Sequence, residues 1–315
     1  MSEPQEIVAV DIGNSRIKFG RYSKNSIVFP GPLPQPTQVI VEQSEKLFQI
    51  ELNLRETPLA EGSEWLISSV NKARLSQFCQ WMKDNRSRDK IRILTRHNIR
   101  TPLEVAEPEK VGMDRLCNAL ASTTLTRRGE PVLIVDIGSA TTLDIVSGEG
   151  HFLGGAIMPG FRASATALRM IADQLPEIDA DDLRFPTFPG KNTSEAIEAG
   201  LFWGMIGAIR QFLAFAREGS SHALLLLTGG DAFPVLEALL NPCFKMPSDT
   251  IIAESPRIAN PSGVSCPPVI DSKHSSLYPA EEDIPDNTFI PVAHFHEAIC
   301  CPYLTLSGIA FASLS

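Results

Sequence analysis

One pattern occurs twice in this chain. Residues 7–22, IVAVDIGNSRIKFGRY, run from an apolar strand through Asp-Ile-Gly and a small polar turn into a second strand; residues 131–146, PVLIVDIGSATTLDIV, do the same. Internal repetition is read before isolated motifs, and two copies of a strand–turn–strand unit predict a duplicated fold. A length of 315 residues also favours two domains over one core. The expected division is 1–127 and 128–315.

The rest of the chain supports α/β organisation. Ile7 to Val10 is apolar on both faces, as in a central strand covered on two sides, while residues 16–22 alternate. FPGPLPQP at 29–36 marks a loop. A helix is expected near 43–50, a strand at 65–70, a helix around 72–85 and a strand at 91–95. In the second half, FRASATALRMIADQL reads as a helix, and a long helix follows at 193–217, capped by Asn192 or Thr193 with Glu195 in a capping-box position. Gly200, Gly204 and Gly207 share one side of it and predict close packing in the core or across a dimer. Residues 222–240 read as strand, glycine turn and helix. Ten of the 24 prolines lie from Pro242 to Pro302, which predicts an irregular insertion at about 245–298. PYLTLSGIAFASL then rejoins a core.

A net charge of -9 argues against an extended nucleic-acid surface. The N-terminal residues do not read as a signal peptide, and no apolar run is expected to approach the roughly 18 residues of a membrane span. The expectation is a cytoplasmic protein with no membrane partner. The six cysteines, at 79, 117, 243, 266, 300 and 301, form neither a zinc pattern nor a disulfide ladder. His294 and His296 alone make a poor metal site.

The chemistry lies in the turns. Gly13 lets backbone N–H groups approach phosphate oxygens, Asn14 and Ser15 add donors, Lys18 adds positive charge, and Asp11 can hold hydrated Mg2+. Alone, this could be an Asp-Gly turn beside a solvated lysine. The second copy, with Asp136, Gly138, Ser139, Thr141 and Thr142, makes a paired phosphate grip the stronger reading. Thr228-Gly229-Gly230 supplies a third close-approach turn, suited to adenosine.

This order resembles the actin, heat-shock chaperone ATPase and sugar kinase superfamily, whose paired ribonuclease H-like domains, each a mixed sheet flanked by helices, hold ATP in the cleft between them. EPEKVGMDRLCNALAS at 107–122, with DIGNS, DIGSATTLD, GGAIMPG, NTSEAI and the closing PYLTLSG, is similar to the type III pantothenate kinases. The resemblance implies ATP-dependent phosphorylation of pantothenate to 4'-phosphopantothenate, the first step of coenzyme A synthesis. It assigns Asp114 as general base and Arg115 to the pantothenate carboxylate or the transferring phosphoryl group, with Gly112 and Thr193 beside pantothenate. Asp11 would position Mg2+ and Asp136 a monovalent cation, K+ or NH4+. Gly13, Asn14, Ser15, Lys18, Ser139, Thr141, Thr142, Gly229 and Gly230 would contact ATP, with Asp144 a secondary candidate. A homodimer is implied. Gly154, Gly155, Pro159 and Gly160 are expected to shape a turn beside the pocket.

The chain departs from the family pattern in having Ser15 and Ser139 where threonine is usual, in lacking a tyrosine before Gly112, and in the length of its Pro-rich stretch. Two other readings keep these turns: a superfamily kinase acting on a different alcohol, and a nucleotide-binding regulator without catalysis.

Overall fold

The computed structural model describes residues 6–43, 59, 61–126, 129–172, 174–180, 183, 185–220, 222–240, 269–271, 289–290 and 298–314. The chain divides into two units. The first contains the described residues up to 125 with 269–271 and 303–314; the second contains 126–240, 289–290 and 298–302.

The first unit's sheet is built from β1 (Glu6–Ile12), β2 (Arg16–Ser23), β3 (Gln38–Gln43), β4 (Glu64–Ser69), β5 (Lys90–Ile93) and the short β10 (Val269–Asp271), in the order β10-β3-β2-β1-β4-β5. β1, β2 and β3 are successively antiparallel, while β4 runs parallel to β1 and β5 parallel to β4. The second unit repeats this plan. Its strands β6 (Val132–Ile137), β7 (Ala140–Val146), β8 (Phe152–Pro159), β9 (Leu224–Thr228) and β12 (Ala298–Cys300) lie in the order β8-β7-β6-β9-β12. Again the first three are antiparallel, and the next two are parallel to the first. The duplication read from the two Asp-Ile-Gly motifs is therefore present in the topology. The sheets differ at their margins: β10 extends the first beyond β3, whereas β11 (Phe289–Ile290) extends the second beyond β12.

Alternation along these strands sends successive side chains to opposite faces. On one face of the first sheet Val8, Val10, Ile12, Ile17, Phe19, Trp65 and Ile67 pack with Phe78 and Met82 of α1 (Lys72–Asn85). Phe19, Trp65 and Phe78 form a ring cluster with centroids 5.8 to 6.4 Å apart, and each such pair adds about 1 kcal/mol beyond the area it buries. Against the other face lie α2 (Met113–Ser122) and α6 (Leu304–Phe311). In the second unit, α3 (Phe161–Ile171) and α5 (Ala232–Leu240) accompany α4 (Thr193–Ala216). Phe202, Met205, Ile206, Ile209 and Leu213 of α4 pack on Leu133, Val135, Ile137, Leu225 and Leu227.

Several expectations need correction. The closing segment does not extend the second domain: α6 packs on α2 and β1 of the first unit, where Thr305 Oγ1 donates to Asn118 Oδ1 at 2.8 Å. A Cβ on Gly308 would lie 2.0 Å from the carbonyl oxygen of Cys117, so glycine is what lets the two helices meet backbone to backbone. Ser307 Oγ donates to the Pro34 carbonyl at 2.9 Å and lies 3.4 Å from the Tyr22 hydroxyl, which fixes the same helix to β2. Strand β3 was not expected. The helix foreseen at 43–50 lies outside the described residues from 44 onward, as does the Pro-rich stretch apart from its short strands.

α3 stops at Ile171, where Ala172 turns extended. Gly154, Gly155 and Pro159 lie within β8 rather than in a turn, and a Cβ on Gly155 would sit 2.0 Å from the Leu143 carbonyl oxygen on the neighbouring strand; Gly160 caps α3, its N–H donating to the Ser139 carbonyl at 3.1 Å. α4 is capped by Asn192, whose Oδ1 accepts from Glu195 N–H at 3.0 Å. Gly200, Gly204 and Gly207 meet nothing within 4 Å where a Cβ would sit, so the close packing foreseen there does not occur with the described residues of this chain. α4 is also long and apolar enough, by length and composition alone, to cross a membrane, contrary to the expectation that no such run exists. Its buried residues are those packed on the second sheet, as in a core helix.

Candidate active site

Asp11 is the penultimate residue of β1, 9% exposed, and lies opposite Lys18 of β2. Lys18 Nζ is 3.9 Å from Asp11 Oδ2. The turn beyond is closed by Gly13 N–H donating to the Arg16 carbonyl at 3.0 Å, leaving Asn14 and Ser15 exposed. Asn14 Oδ1 accepts from Asn71 Nδ2 at 3.2 Å, and Asn71 also caps α1 through Arg74 N–H. The turn is thus tied to a helix start. Its exposed amide and hydroxyl side chains, the lysine and the acid form a compact set suited to phosphate and a cation.

α2 supplies the second acid of this unit. Gly112 is its N-cap, so Asp114 stands in the first helical turn. Asp114 Oδ1 accepts from Arg115 N–H at 2.8 Å, which folds the carboxylate back over the helix start. A Cβ on Gly112 would lie 2.5 Å from that oxygen, so glycine leaves the space the carboxylate uses. Arg115 is half-buried. One turn further on, the buried Cys117 thiol has its pKa pushed well above the ordinary thiol range, first by burial and then by the charges of Asp11 and Asp114.

In the second unit Asp136 is again the penultimate residue of its strand, with Thr142 of β7 where the first unit has Lys18. Gly138 N–H donates to the Ala140 carbonyl at 3.2 Å, and Ser139 is exposed in the turn. Gly229 follows β9 with φ +95°, and a Cβ there would lie 2.3 Å from the Ile137 carbonyl oxygen and 2.7 Å from Asp136 Oδ1. Only glycine can pass there, and it brings the backbone against the acid. Gly230 is half-buried beside it. Asp231 N–H ties the turn back to the Ile137 carbonyl at 3.2 Å.

The two threonines part company. Thr142 shares the Asp136 face, and its hydroxyl is buried without a hydrogen-bond partner. Thr141 pairs with Ile137 on the α4 face and is fully buried, its hydroxyl likewise without a hydrogen-bond partner. Strand alternation thus separates a pair expected to act together. Asp144 is buried on the Asp136 face, two residues beyond Thr142, where a Cβ on Gly155 would press on its carboxylate. Thr193 is exposed at the first position of α4, beside the capping Asn192.

The sequence reading missed Ser68 altogether, and read Thr228 only as part of a glycine turn and not as a neighbour of Asp136. The parallel neighbour of Asp11 is Ser68 and that of Asp136 is Thr228, both buried. The available signal was a hydroxyl residue at or next to the end of the strand in both ISS and LLT, which only alignment of the two repeats would have brought out. Among the described residues no three His, Cys, Asp or Glu side chains gather as a metal cage. The single carboxylate at the end of each unit's first strand, Asp11 or Asp136, suits a hydrated cation shared with phosphate oxygens. His294 and His296 lie outside the described residues.

The family model described as type III pantothenate kinase matches residues 7–214. A type III pantothenate kinase of Rhodopirellula baltica is 35% identical over 169 residues, 53% of this chain and 60% of that protein. One from Citrifermentans bemidjiense is 30% identical over 230 residues, 71% of this chain and 87% of that protein. Among solved structures, a glucokinase from an Antarctic psychrotroph aligns over 99% of both chains with a TM-score of 0.44 and 12% identity. Membership of a family rests on the sequence matches and not on that likeness.

Proposed function

The chain belongs to the type III pantothenate kinases, which makes it an ATP-dependent kinase acting on pantothenate on the way to coenzyme A, and we propose that Asp114 is the base of that reaction. What supports this assignment is the start of α2: Gly112 leaves open the space that the Asp114 carboxylate uses in the first turn, and α2 packs on β4, the strand beside Asp11.

Asp114 accepts the proton of the attacking primary hydroxyl as its oxygen bonds to the γ-phosphorus, and the bond to the bridging oxygen breaks with ADP as leaving group. Arg115, next in the first turn of α2, meets the pantothenate carboxylate or the transferring phosphoryl group. Gly112 keeps the space into which Asp114 folds, and Thr193 touches pantothenate. An ATP-using kinase works with a divalent metal, and Asp11 is the residue that would hold Mg2+; when bound, it neutralises phosphate charge. Gly13, Asn14, Ser15 and Lys18 hold the phosphates. In the second unit Ser139, Thr142, Gly229 and Gly230 contact the nucleotide, with Thr142 rather than Thr141 as the hydroxyl donor. Asp136 holds a monovalent cation. The open glycine side of α4 is the surface for a second copy, making the enzyme a homodimer, and the reaction is placed in the cytoplasm.

Asp114→Asn tests the central role. Loss of roughly 10²- to 10⁴-fold in turnover with nucleotide binding intact is expected. Undiminished phosphopantothenate formation, followed directly by mass spectrometry, would remove Asp114 from the role of base.

A further inference from the structure

Ser68 stands out as a buried polar group that the reaction scheme above does not use. It belongs to β4, runs beside Asp11 in parallel register, and therefore shares its sheet face. It is 0% exposed, and its hydroxyl has no hydrogen-bond partner. A buried hydroxyl left unpaired is costly, and such groups call for an explanation. β4 contacts α2, the helix that bears Asp114, so the hydroxyl lies on the side of the sheet that carries both acids.

The second unit provides an independent observation. Thr228, 1% exposed, occupies the corresponding place beside Asp136, so each copy of the motif sets a hydroxyl residue next to its acid. The residues that follow them differ completely, Ser69 in one unit and Gly229 in the other. What the copies share is the acid and its hydroxyl neighbour.

We propose that Ser68 is a positioning residue for Asp11, its hydroxyl donating to the carboxylate and orienting it when the divalent cation and nucleotide are bound. This rests on the reading of Asp11 as the Mg2+-holding acid. Outer partners of this kind orient a ligating carboxylate, and their loss typically weakens metal binding by 10- to 100-fold. Because the hydroxyl lacks a partner in the ligand-free protein, its removal costs no hydrogen bond there.

The test uses full-length Ser68→Ala and Asp11→Asn, with binding of a non-hydrolysable ATP analogue measured calorimetrically across a Mg2+ titration, and the ligand-free melting temperature measured alongside. For Ser68→Ala the expected result is a roughly tenfold rise in the Mg2+ concentration giving half-maximal binding, with a melting temperature equal to or above that of the parent. A Ser68→Ala protein with an unchanged Mg2+ curve, while Asp11→Asn shifts it, overturns the role of Ser68 and leaves that of Asp11 standing. A Mg2+ curve unmoved by Asp11→Asn overturns the Asp11 reading itself. A lowered melting temperature with weaker binding at every Mg2+ concentration would make Ser68 a purely structural residue.

Discussion

The two units share a strand order and the placement of an acid at the end of the first strand, yet the acids have different neighbours. Across the hairpin, Asp11 faces Lys18, whose ammonium is 3.9 Å away, while Asp136 faces Thr142. Beyond the parallel strand, the first unit continues with Ser69, whose hydroxyl donates to the Asn71 carbonyl at 3.0 Å and accepts from Asn71 N–H. The second continues with Gly229 in a left-handed conformation, its backbone pressed against the Asp136 carboxylate. The fold sets the acid in both copies, and the residues one strand away give the two acids different surroundings. A lysine beside the acid suits phosphate charge; backbone and hydroxyl oxygens around the acid suit a weakly hydrated cation.

Exchanging the post-strand residue separates the units most sharply. Gly229→Ala combines a disfavoured positive φ with overlap onto the Ile137 carbonyl, for an expected loss of about 2 to 4 kcal/mol in stability, whereas Ser69→Ala loses hydrogen bonds worth about 1 kcal/mol. Equal losses in denaturant melts would mean that the two positions are not structurally distinct.

Gly112→Ala perturbs the first unit alone. The added methyl meets only the end of the Asp114 side chain, which can swing away. A fall of roughly 10- to 100-fold in kcat with little change in melting temperature is expected, and an unaltered kcat would detach the carboxylate's position from catalysis.

Both units start a helix with an asparagine cap, so Asn71→Ala and Asn192→Ala should each cost about 1 kcal/mol. Only Asn71 also holds the Asn14 turn, and only its loss should raise the KM for ATP; a rise from Asn192→Ala alone would reverse the assignment.

The smallest effect is alkaline. Tyr22 and Cys117, both of the first unit, have pKa values raised chiefly by burial, so the folded protein keeps these protons to higher pH than the unfolded chain. Stability is therefore intact below the ordinary thiol value of 9.0 and declines as pH rises past it. Tyr22→Phe should shrink the decline seen between about pH 8 and about pH 10.5 in denaturant melts, and an identical decline would contradict that origin.

The duplication was legible because it is local: an apolar run, Asp-Ile-Gly and a small polar turn are written in consecutive residues. Helix 193–216 was legible for a similar reason, with Asn192 and Glu195 marking its start. What escaped depends on partners distant in the chain. That α6 belongs to the first unit follows from the fit of Gly308 on Cys117 and of Thr305 on Asn118, which no periodicity encodes. Thr141 and Thr142 read alike as hydroxyls, and only the strand register sends them to opposite faces. Ser68, and the pairing of Thr228 with Asp136, escaped because their meaning comes from the strand beside them.

The division of labour between the two acids is tested most directly by a steady-state matrix of pantothenate phosphorylation, with Mg2+ and K+ titrated separately for Asp11→Asn and Asp136→Asn. The expected result is that Asp11→Asn raises the Mg2+ requirement and leaves the K+ curve in place, while Asp136→Asn does the reverse. Both substitutions displacing the same curve, or neither displacing any, would contradict it.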